Sequence, residues 1–273
     1  MTWTTLPRSN SATGLAWHQR GSGPAVILIH GVGLRAESWG GILPGLATQH
    51  TVYALDLPEH GDSPMIDKAD PTVSDYTDQI ASSLQELPGP VCVAGHSLGA
   101  LISLDLAARY PEMVQAVAAL NSIYRRSPAS AQAVRVRATS LAQAQSGQDA
   151  DPQPTLTRWF GNPPAPANQA ANDACRDWLI HGSLTGYAAA YHAFAFSDGP
   201  EDTALEQIAC PALLLTASGD PNSTPAMSEA LARIIPNGRA HIISGAAHMA
   251  PMTHATMIAK ILAEFFTMAG GDA

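Results

Sequence analysis

The pentapeptide Gly95-His-Ser-Leu-Gly99 places a serine between an apolar run and a segment with helical periodicity. Val91 to Ala94 predicts a short buried strand, and the apolar residues of Leu98 to Tyr110 recur at helical spacing. Ser97 therefore lies on a sharp strand-to-helix turn, where small neighbours let the two elements approach closely. The helix N-terminus beneath the hydroxyl favours negative charge. This arrangement predicts nucleophilic attack on a carbonyl carbon.

A serine hydroxyl is a poor nucleophile at neutral pH, so it needs a base and a group that orients the base. Asp220 follows the predicted buried strand Ala212 to Ala217, and His248 follows the predicted strand Ala240 to Ile243. Both side chains are thus expected on loops at the ends of strands. We interpret Ser97 as the nucleophile, Asp220 as the orienting acid and His248 as the base, which is the chain order of an α/β-hydrolase triad.

Attack on a carbonyl also requires donors for the oxyanion. The apolar run Ala25 to Ile29 predicts a strand buried on both faces, and it ends in His30-Gly-Val-Gly33. Glycines in that loop bring backbone amides close to a ligand. We expect the backbone N–H groups of Val32 and Leu98 to form the oxyanion hole.

These segments, together with Asp56-Leu-Pro-Glu-His-Gly61 after a further strand, resemble the α/β-hydrolase fold superfamily over nearly the whole chain. The chain is most similar to small capped hydrolases related to enol-lactone hydrolases and carboxylesterases, and more distantly to carbon–carbon hydrolases of ring-fission products. The resemblance implies a mostly parallel twisted sheet flanked by helices, with an inserted helical cap. It also implies structural roles for His30 and for Asp56, which would brace the following turn.

Two further histidines lie near the predicted site. His96 is within the pentapeptide, but its side chain is expected to point away and pack. His254 begins the terminal helical run Ala255 to Met268, where a solvated or capping role is more usual. The other histidines and the cysteines lack metal-ligand spacing, so we expect neither a metal nor a cofactor.

Strands and helices alternate up to about residue 120 and again from residue 212, which predicts a parallel sheet covered on both faces. We predict an α/β-hydrolase core over 1–121 and 208–273, and a helical cap over 122–207, inserted after the sixth strand. The cap is rich in aromatic residues: Trp159, Phe160, Trp178, Tyr187, Tyr191, Phe194 and Phe196. Of the residues near the site, Trp159, Tyr187 and Met249 are expected to contact substrate.

The 273 residues are 46% hydrophobic and 14% charged, with a formal net charge of −9. An acidic chain without a Lys/Arg cluster disfavours nucleic acid and anionic membranes as partners, and leaves a small-molecule substrate. Three widely spaced cysteines and the absence of a signal-peptide pattern or membrane-length run predict a reduced, cytoplasmic protein. The sequence leaves open whether the protein is a monomer or a homodimer.

The predicted reaction is hydrolysis of a carboxylic ester or lactone of a small, largely apolar substrate through an acyl-enzyme. A carbon–carbon hydrolase of a vinylogous diketone acid would use the same residues plus a cap cation for the carboxylate, with Arg125, Arg126 and Arg158 as candidates. A cofactor-free acyltransferase or perhydrolase would differ only in the acyl acceptor. A non-enzymatic small-molecule binding module is disfavoured by the intact set of three residues.

Overall fold

Eight strands form one sheet in the order β1-β2-β4-β3-β5-β6-β7-β8 in the computed structural model, which describes residues 3–270. The strands are β1 Ser9–Asn10, β2 Ala16–Gly21, β3 Ala25–Ile29, β4 Thr51–Leu55, β5 Val91–His96, β6 Val114–Leu120, β7 Ala212–Ala217 and β8 Gly238–Ile243. Strands β1 and β2 pair antiparallel with their neighbours, and all other pairs are parallel. The predicted α/β-hydrolase sheet is confirmed, and β3 and β7 have the predicted bounds.

Helices cover both faces of the sheet. They are α1 Leu43–Leu46, α2 Val73–Leu84, α3 Leu98–Arg109, α4 Pro128–Gln143, α5 Gln153–Phe160, α6 Gln169–His181, α7 Leu184–Ala195, α8 Asp202–Leu205, α9 Pro225–Ile234, α10 Ala250–Thr253 and α11 Ala255–Gly270, with 3-10 turns at Ala36–Trp39, Pro111–Met113 and Pro166–Asn168. Helices α2, α3 and α9 pack in the core on one face, and α1 and α11 pack in the core on the other. Residues 1–2 and 271–273 of the predicted core lie outside the described residues.

The central strands are apolar along their whole length because both faces are buried. In β3, Ile27 and Ile29 point into one core, whereas Val26 and Leu28 point into the other. All four side chains are fully buried. This explains why β3 is a continuous apolar run with no polar residue at alternate positions. The buried sheet gives the loops at its carboxyl ends a rigid base.

Between β6 and β7, residues 121–211, all of them described, form helices α4 to α8 and no strand. Helices α4 and α7 pack against each other, as do α5 and α6. Helix α8 instead contacts α3 and α9, so Asp202–Leu205 lies against the body although the predicted cap segment includes it. Of the remaining four helices, α4, α5 and α7 carry residues that line one cavity at the carboxyl ends of the strands.

A buried ion cluster fastens the N-terminal segment to the sheet. The Arg8 guanidinium is 6% exposed and donates to Glu37 and Asp56, at 2.7 Å each. Asp56, directly after β4, also accepts the amides of Ala36 and Asp62, so it braces the turn that follows it, as the resemblance implied. Burial opposes the charge of both carboxyls, but the hydrogen bonds and charge of Arg8 hold their pKa values below the usual range.

Replacing Arg8 should destabilise the fold severely because it leaves the fully buried Asp56 carboxylate without its cation and removes one of the two cations that pair with Glu37. We expect Arg8→Met to lower the free energy of unfolding by about 3–5 kcal/mol. The matched control is Arg35→Met, because Arg35 is 28% exposed and, among the described residues, pairs with Glu37 alone. We expect that control to cost less than about 1 kcal/mol. Denaturant unfolding measures both, and equal losses would contradict a buried cluster centred on Arg8.

Candidate active site

The predicted site residues converge at one edge of the sheet. Val32, Ser97, Asp220 and His248 follow β3, β5, β7 and β8 respectively, and these strands are parallel. The carboxyl ends of parallel strands lie at the same edge, and ligand sites in open α/β sheets form outside that edge. Three of the four residues, Val32, Ser97 and His248, line one cavity.

Ser97 is held in a backbone conformation that non-glycine residues rarely adopt, with φ 57° and ψ −114°. Its amide donates to the Leu120 carbonyl at 2.9 Å, which ties the turn to β6. The neighbouring glycines are required by close packing. A Cβ on Gly95 would overlap the carbonyl of Gly99, and a Cβ on Gly99 would overlap the carbonyl of Ile29. The pentapeptide therefore forms the predicted strained turn, and Ser97 faces the cavity.

Asp220 and His248 form a buried hydrogen-bonded pair. The His248 Nδ1–H donates to Asp220 Oδ2 at 2.8 Å, and both side chains are almost fully buried. Burial would raise the pKa of Asp220, but the charge and hydrogen bond of His248 outweigh it and lower that pKa to about 2. The carboxylate therefore stays ionised and fixes the imidazole with Nδ1 protonated. Nε2 is left free to accept a proton on the cavity side.

Two backbone amides next to Ser97 are available to a ligand. Leu98 begins α3, so its N–H has no acceptor within the helix. In the loop after β3, the Gly33 amide donates to His60 Nε2 at 3.0 Å, and the Leu34 amide donates to the Gly31 carbonyl. The amide of Val32, between Gly31 and Gly33, makes no hydrogen bond within residues 3–270. Both amides are therefore free to donate to a ligand, and their role as oxyanion donors stays a prediction.

His96 does not point away from the site, so that prediction is wrong. Its ring lies 5.0 Å from the His248 ring, and it also lines the cavity. Burial, and next the nearby His248, lower the pKa of His96 to about 3, so the ring is neutral. The His96 Nε2–H can therefore donate to the carbonyl of His248, 2.8 Å away. The residue before the nucleophile thus ties the turn to the loop of the predicted base.

The cavity has a volume of about 490 Å³ and is roofed by the inserted helices. Four of the predicted cap aromatics line it: Trp159, Tyr187, Tyr191 and Phe194. The Trp159 ring stacks on His248 at 6.2 Å and 25°. Met249 is not a lining residue, which corrects its predicted role. Met249 is 1% exposed, and its side chain packs in the same core as Ile27 and Ile29. The chain turns into α10 directly after this residue.

The three candidate arginines have different surroundings. Arg125 is 65% exposed and pairs with Asp202 at the surface. Arg126 lines the cavity, but its guanidinium donates to the carbonyls of Phe194 and Ser197. These hydrogen bonds join the two ends of the inserted segment. Arg158 also lines the cavity and forms no ion pair with any carboxylate in the described chain. Arg158 is therefore the arginine whose charge is available to a ligand.

The remaining histidines have structural surroundings. The His30 Nε2 accepts the Leu57 amide at 2.9 Å, and its pKa is lowered to about 3 by burial and by His60. His254 hydrogen-bonds to Thr253 beside the last helix and lies outside the cavity.

Within residues 3–270, no group of three or more His, Cys, Asp or Glu side chains could hold a metal ion. No helix there has the length and apolar character to span a membrane.

One residue in this site was missed by the sequence interpretation. Asn121 is 1% exposed, and its side-chain amide donates to Asp220 Oδ2 at 2.7 Å. A signal for it was available: the sequence Ala118-Ala-Leu-Asn121 sets a polar residue directly after a buried strand, where ligand sites form.

Buried neutral histidines should make the fold sensitive to acid. His96 has a pKa of about 3 in the fold and an ordinary value of 6.5, so the unfolded chain binds the extra proton between these limits. Its contribution to stability is complete above pH 6.5 and falls as the pH drops towards 3. We expect the free energy of unfolding of His96→Gln, which keeps a hydrogen-bond donor, to fall less steeply than that of wild type as the pH drops through this range. The two slopes should differ by about 1.4 kcal/mol per pH unit. The curve of exposed His241→Gln should follow wild type. A His96→Gln curve parallel to wild type would contradict the buried neutral ring.

Comparison with known proteins identifies the family of this chain. The model of the alpha/beta hydrolase family matches residues 26–261. An (E)-2-((N-methylformamido)methylene)succinate hydrolase from Acinetobacter baylyi is 36% identical over 250 residues, covering 91% of this chain and 92% of that protein. A pimeloyl-[acyl-carrier protein] methyl ester esterase from Chromobacterium violaceum is 31% identical over 250 residues, covering 89% and 94%.

Solved structures share the fold. The enol-lactonase from Burkholderia xenovorans LB400 superposes with a TM-score of 0.81 at 23% identity, covering 96% of this chain and all of its own. At that identity the likeness shows the fold alone. Because the family model spans most of the sequence and a relative is 36% identical along nearly its full length, the chain belongs to the α/β hydrolase family.

Proposed function

We propose that this protein is a serine hydrolase that cleaves a carboxylic ester or lactone of a small, largely apolar substrate. The observation that carries the proposal is the buried Asp220–His248 hydrogen bond beside Ser97, whose backbone is strained. Burying the Asp220 carboxylate and straining the backbone of Ser97 both cost free energy. A role in proton transfer at Ser97 explains why both features are present together. The esterase and enol-lactonase among its relatives and structural neighbours act on bonds of this kind.

In the proposed reaction, Ser97 Oγ attacks the substrate carbonyl while His248 Nε2 accepts its proton. The tetrahedral intermediate collapses, the carbon–oxygen bond to the leaving group breaks, and the imidazolium returns the proton to the leaving alkoxide. A water molecule then repeats the sequence on the acyl-enzyme and releases the acid. Ser97 Oγ makes no hydrogen bond with the imidazole in the free enzyme, and such contacts often tighten only when substrate binds.

The oxyanion of each intermediate would be bound by the amides of Val32 and Leu98. Each donor of this kind contributes on the order of 3 kcal/mol to lowering the barrier. The amide of Val32 is held in place from both sides, because Gly33 donates to His60 and Leu34 donates to Gly31. The hole is therefore formed before substrate arrives, and its donors need no reorganisation during the reaction.

The proposed cap, residues 122–207 except α8, would select the substrate through its aromatic side chains. Trp159 and Tyr187 line the cavity. Apolar groups seated against them gain roughly 25 cal/mol per Å² removed from water. Small apolar acyl or aryl groups are therefore the substrates that these walls favour.

The proposal is tested with short-chain aryl esters. We expect Ser97→Ala to abolish turnover with an unchanged unfolding curve, because it removes one hydroxyl at the cavity surface. Asp220→Asn should lower kcat by about 10⁴, because the imidazole would adopt the wrong tautomer. Asp105→Asn is the control: Asp105 lies on α3 and pairs with Arg109 at the surface, and its kcat should equal that of wild type. Ester hydrolysis by folded Ser97→Ala at the wild-type rate would exclude this mechanism.

One observation favours a second candidate, in which the substrate carries a carboxylate. Arg158 lines the cavity, and its guanidinium pairs with no carboxylate within residues 3–270. The Acinetobacter baylyi relative is named for a substituted succinate, a dicarboxylate. A carboxylate bound by Arg158 would place the rest of such a substrate towards Ser97, and the same nucleophile, base and oxyanion donors would serve its hydrolysis.

The two candidates differ in their response to loss of the Arg158 charge. For an anionic substrate such as an acylaminomethylene succinate, we expect Arg158→Gln to raise KM ten- to hundredfold, because a charge-assisted hydrogen bond is worth about 1.5–3 kcal/mol. For a neutral aryl ester, KM should change less than about twofold. Arg125→Gln is the matched control, since Arg125 pairs with Asp202 away from the cavity. Equal effects of Arg158→Gln on both substrates would rule out the carboxylate candidate.

A further inference from the structure

Asn121 lies between the turn of Ser97 and the loop of Asp220. It directly follows β6, whose last residue, Leu120, accepts the amide of Ser97 at 2.9 Å. Its φ of 53° is in the left-handed region, which asparagine tolerates better than most residues. Its side chain is buried among the loops that carry the predicted acid and base.

The side-chain amide of Asn121 completes the set of donors around the Asp220 carboxylate. Asn121 Nδ2 donates to Asp220 Oδ2 at 2.7 Å, and His248 Nδ1 donates to the same oxygen at 2.8 Å. The other oxygen, Oδ1, accepts the amides of Asn222 at 2.8 Å and Ser223 at 3.2 Å. Backbone donors thus hold one oxygen, and Asn121 is the fixed donor on the oxygen that contacts the imidazole.

The orientation of this amide is determined by its surroundings. The Asn121 backbone N–H donates to the Leu215 carbonyl at 2.8 Å, and its carbonyl accepts the Ser223 hydroxyl at 2.7 Å, so the residue is tied to β7 and to the acid loop. Rotating the side-chain amide by half a turn would direct Oδ1 at a carboxylate oxygen, which is repulsive. Oδ1 is buried and accepts no hydrogen bond in the described chain. The hydrogen bond from Nδ2 to the carboxylate therefore contributes more than the one that Oδ1 lacks.

We infer that Asn121 is a positioning residue: it fixes the Asp220 carboxylate in the rotation that keeps Oδ2 on His248 Nδ1. Without it, Oδ2 keeps only the hydrogen bond from His248 within the described residues, while the backbone amides of Asn222 and Ser223 still hold Oδ1. Oδ2 can then swing about this anchored oxygen, and the imidazole loses the alignment that keeps Nε2 on the cavity side. This inference rests on the proposed function for its kinetic readout, but the hydrogen bond itself is observable without turnover.

The test uses Asn121→Gly, because glycine adopts the backbone conformation at this position without strain and removes the donor. The proton of His248 Nδ1 in a hydrogen bond to a carboxylate resonates far downfield in the NMR spectrum, and Asp220→Asn identifies that signal by its loss. We expect Asn121→Gly to shift or broaden the signal and to lower kcat for an aryl ester ten- to hundredfold, with KM changed less than about threefold.

Thr216→Val is the matched control. The Thr216 hydroxyl is 3.4 Å from the same Asn121 amide and donates to the Ser223 carbonyl, but it does not contact Asp220. This variant perturbs the same buried cluster and keeps the donor on the carboxylate. Its downfield signal should stay in place, with kcat within about threefold of wild type. An unmoved signal in folded Asn121→Gly with wild-type kcat would overturn the inference, as would equal effects of the two variants.

Asn121→Asp supplies an independent readout if the glycine variant unfolds. It keeps the shape of the side chain, and the introduced carboxyl and that of Asp220 must share a proton. While that proton is present, the introduced carboxyl donates it to Asp220 in place of the amide; once the proton leaves, two carboxylates repel. The ratio of variant to wild-type kcat/KM should therefore fall as pH rises. A ratio independent of pH would contradict a donor role for Asn121.

If no ester is hydrolysed by any form of the protein, the proposed function fails, while the downfield signal of the His248 proton still decides the role of Asn121.

Discussion

The packing of β5 against α3 at Ser97 is the constraint on which the rest of the site depends. Helix α3 packs so closely on β5 and on the end of β3 that neither Gly95 nor Gly99 has room for a Cβ, and Ser97 is held at a φ of 57°. This strained turn needs support, which comes from a sheet buried on both faces and from the hydrogen bond to Leu120.

Burial of charge gives the site its second constraint. Asp220 is surrounded by four hydrogen-bond donors, and two of these, Asn121 and His248, share one oxygen. His96 and His30 avoid charge altogether and serve as neutral donors and acceptors, since burial lowers the pKa of each to about 3. His96 lines the cavity with His248 but stays neutral, so His248 is the imidazole left to accept the proton of Ser97.

The strands and the loops that carry Ser97, Asp220 and His248 could be predicted from the sequence, because each follows from a local pattern. Buried runs such as Ala25–Ile29 have no polar positions, and each ends in a loop that carries the site residue. Side-chain direction after the strand ends was not predictable in the same way. Met249 follows the predicted base directly, yet the turn into α10 sends its side chain into the core. The partner of His96 is the carbonyl of a residue far along the chain, which only the tertiary fold reveals.

The central claim, that Ser97 is a nucleophile activated by the His248–Asp220 pair, is tested most directly by covalent labelling. A serine-reactive fluorophosphonate would be incubated with wild-type protein, and the digested product mapped by mass spectrometry. The account predicts a single adduct on the peptide that contains Ser97, formed much more slowly in His248→Gln. Wild-type protein that stays unlabelled, or that carries the adduct at another residue, would contradict it.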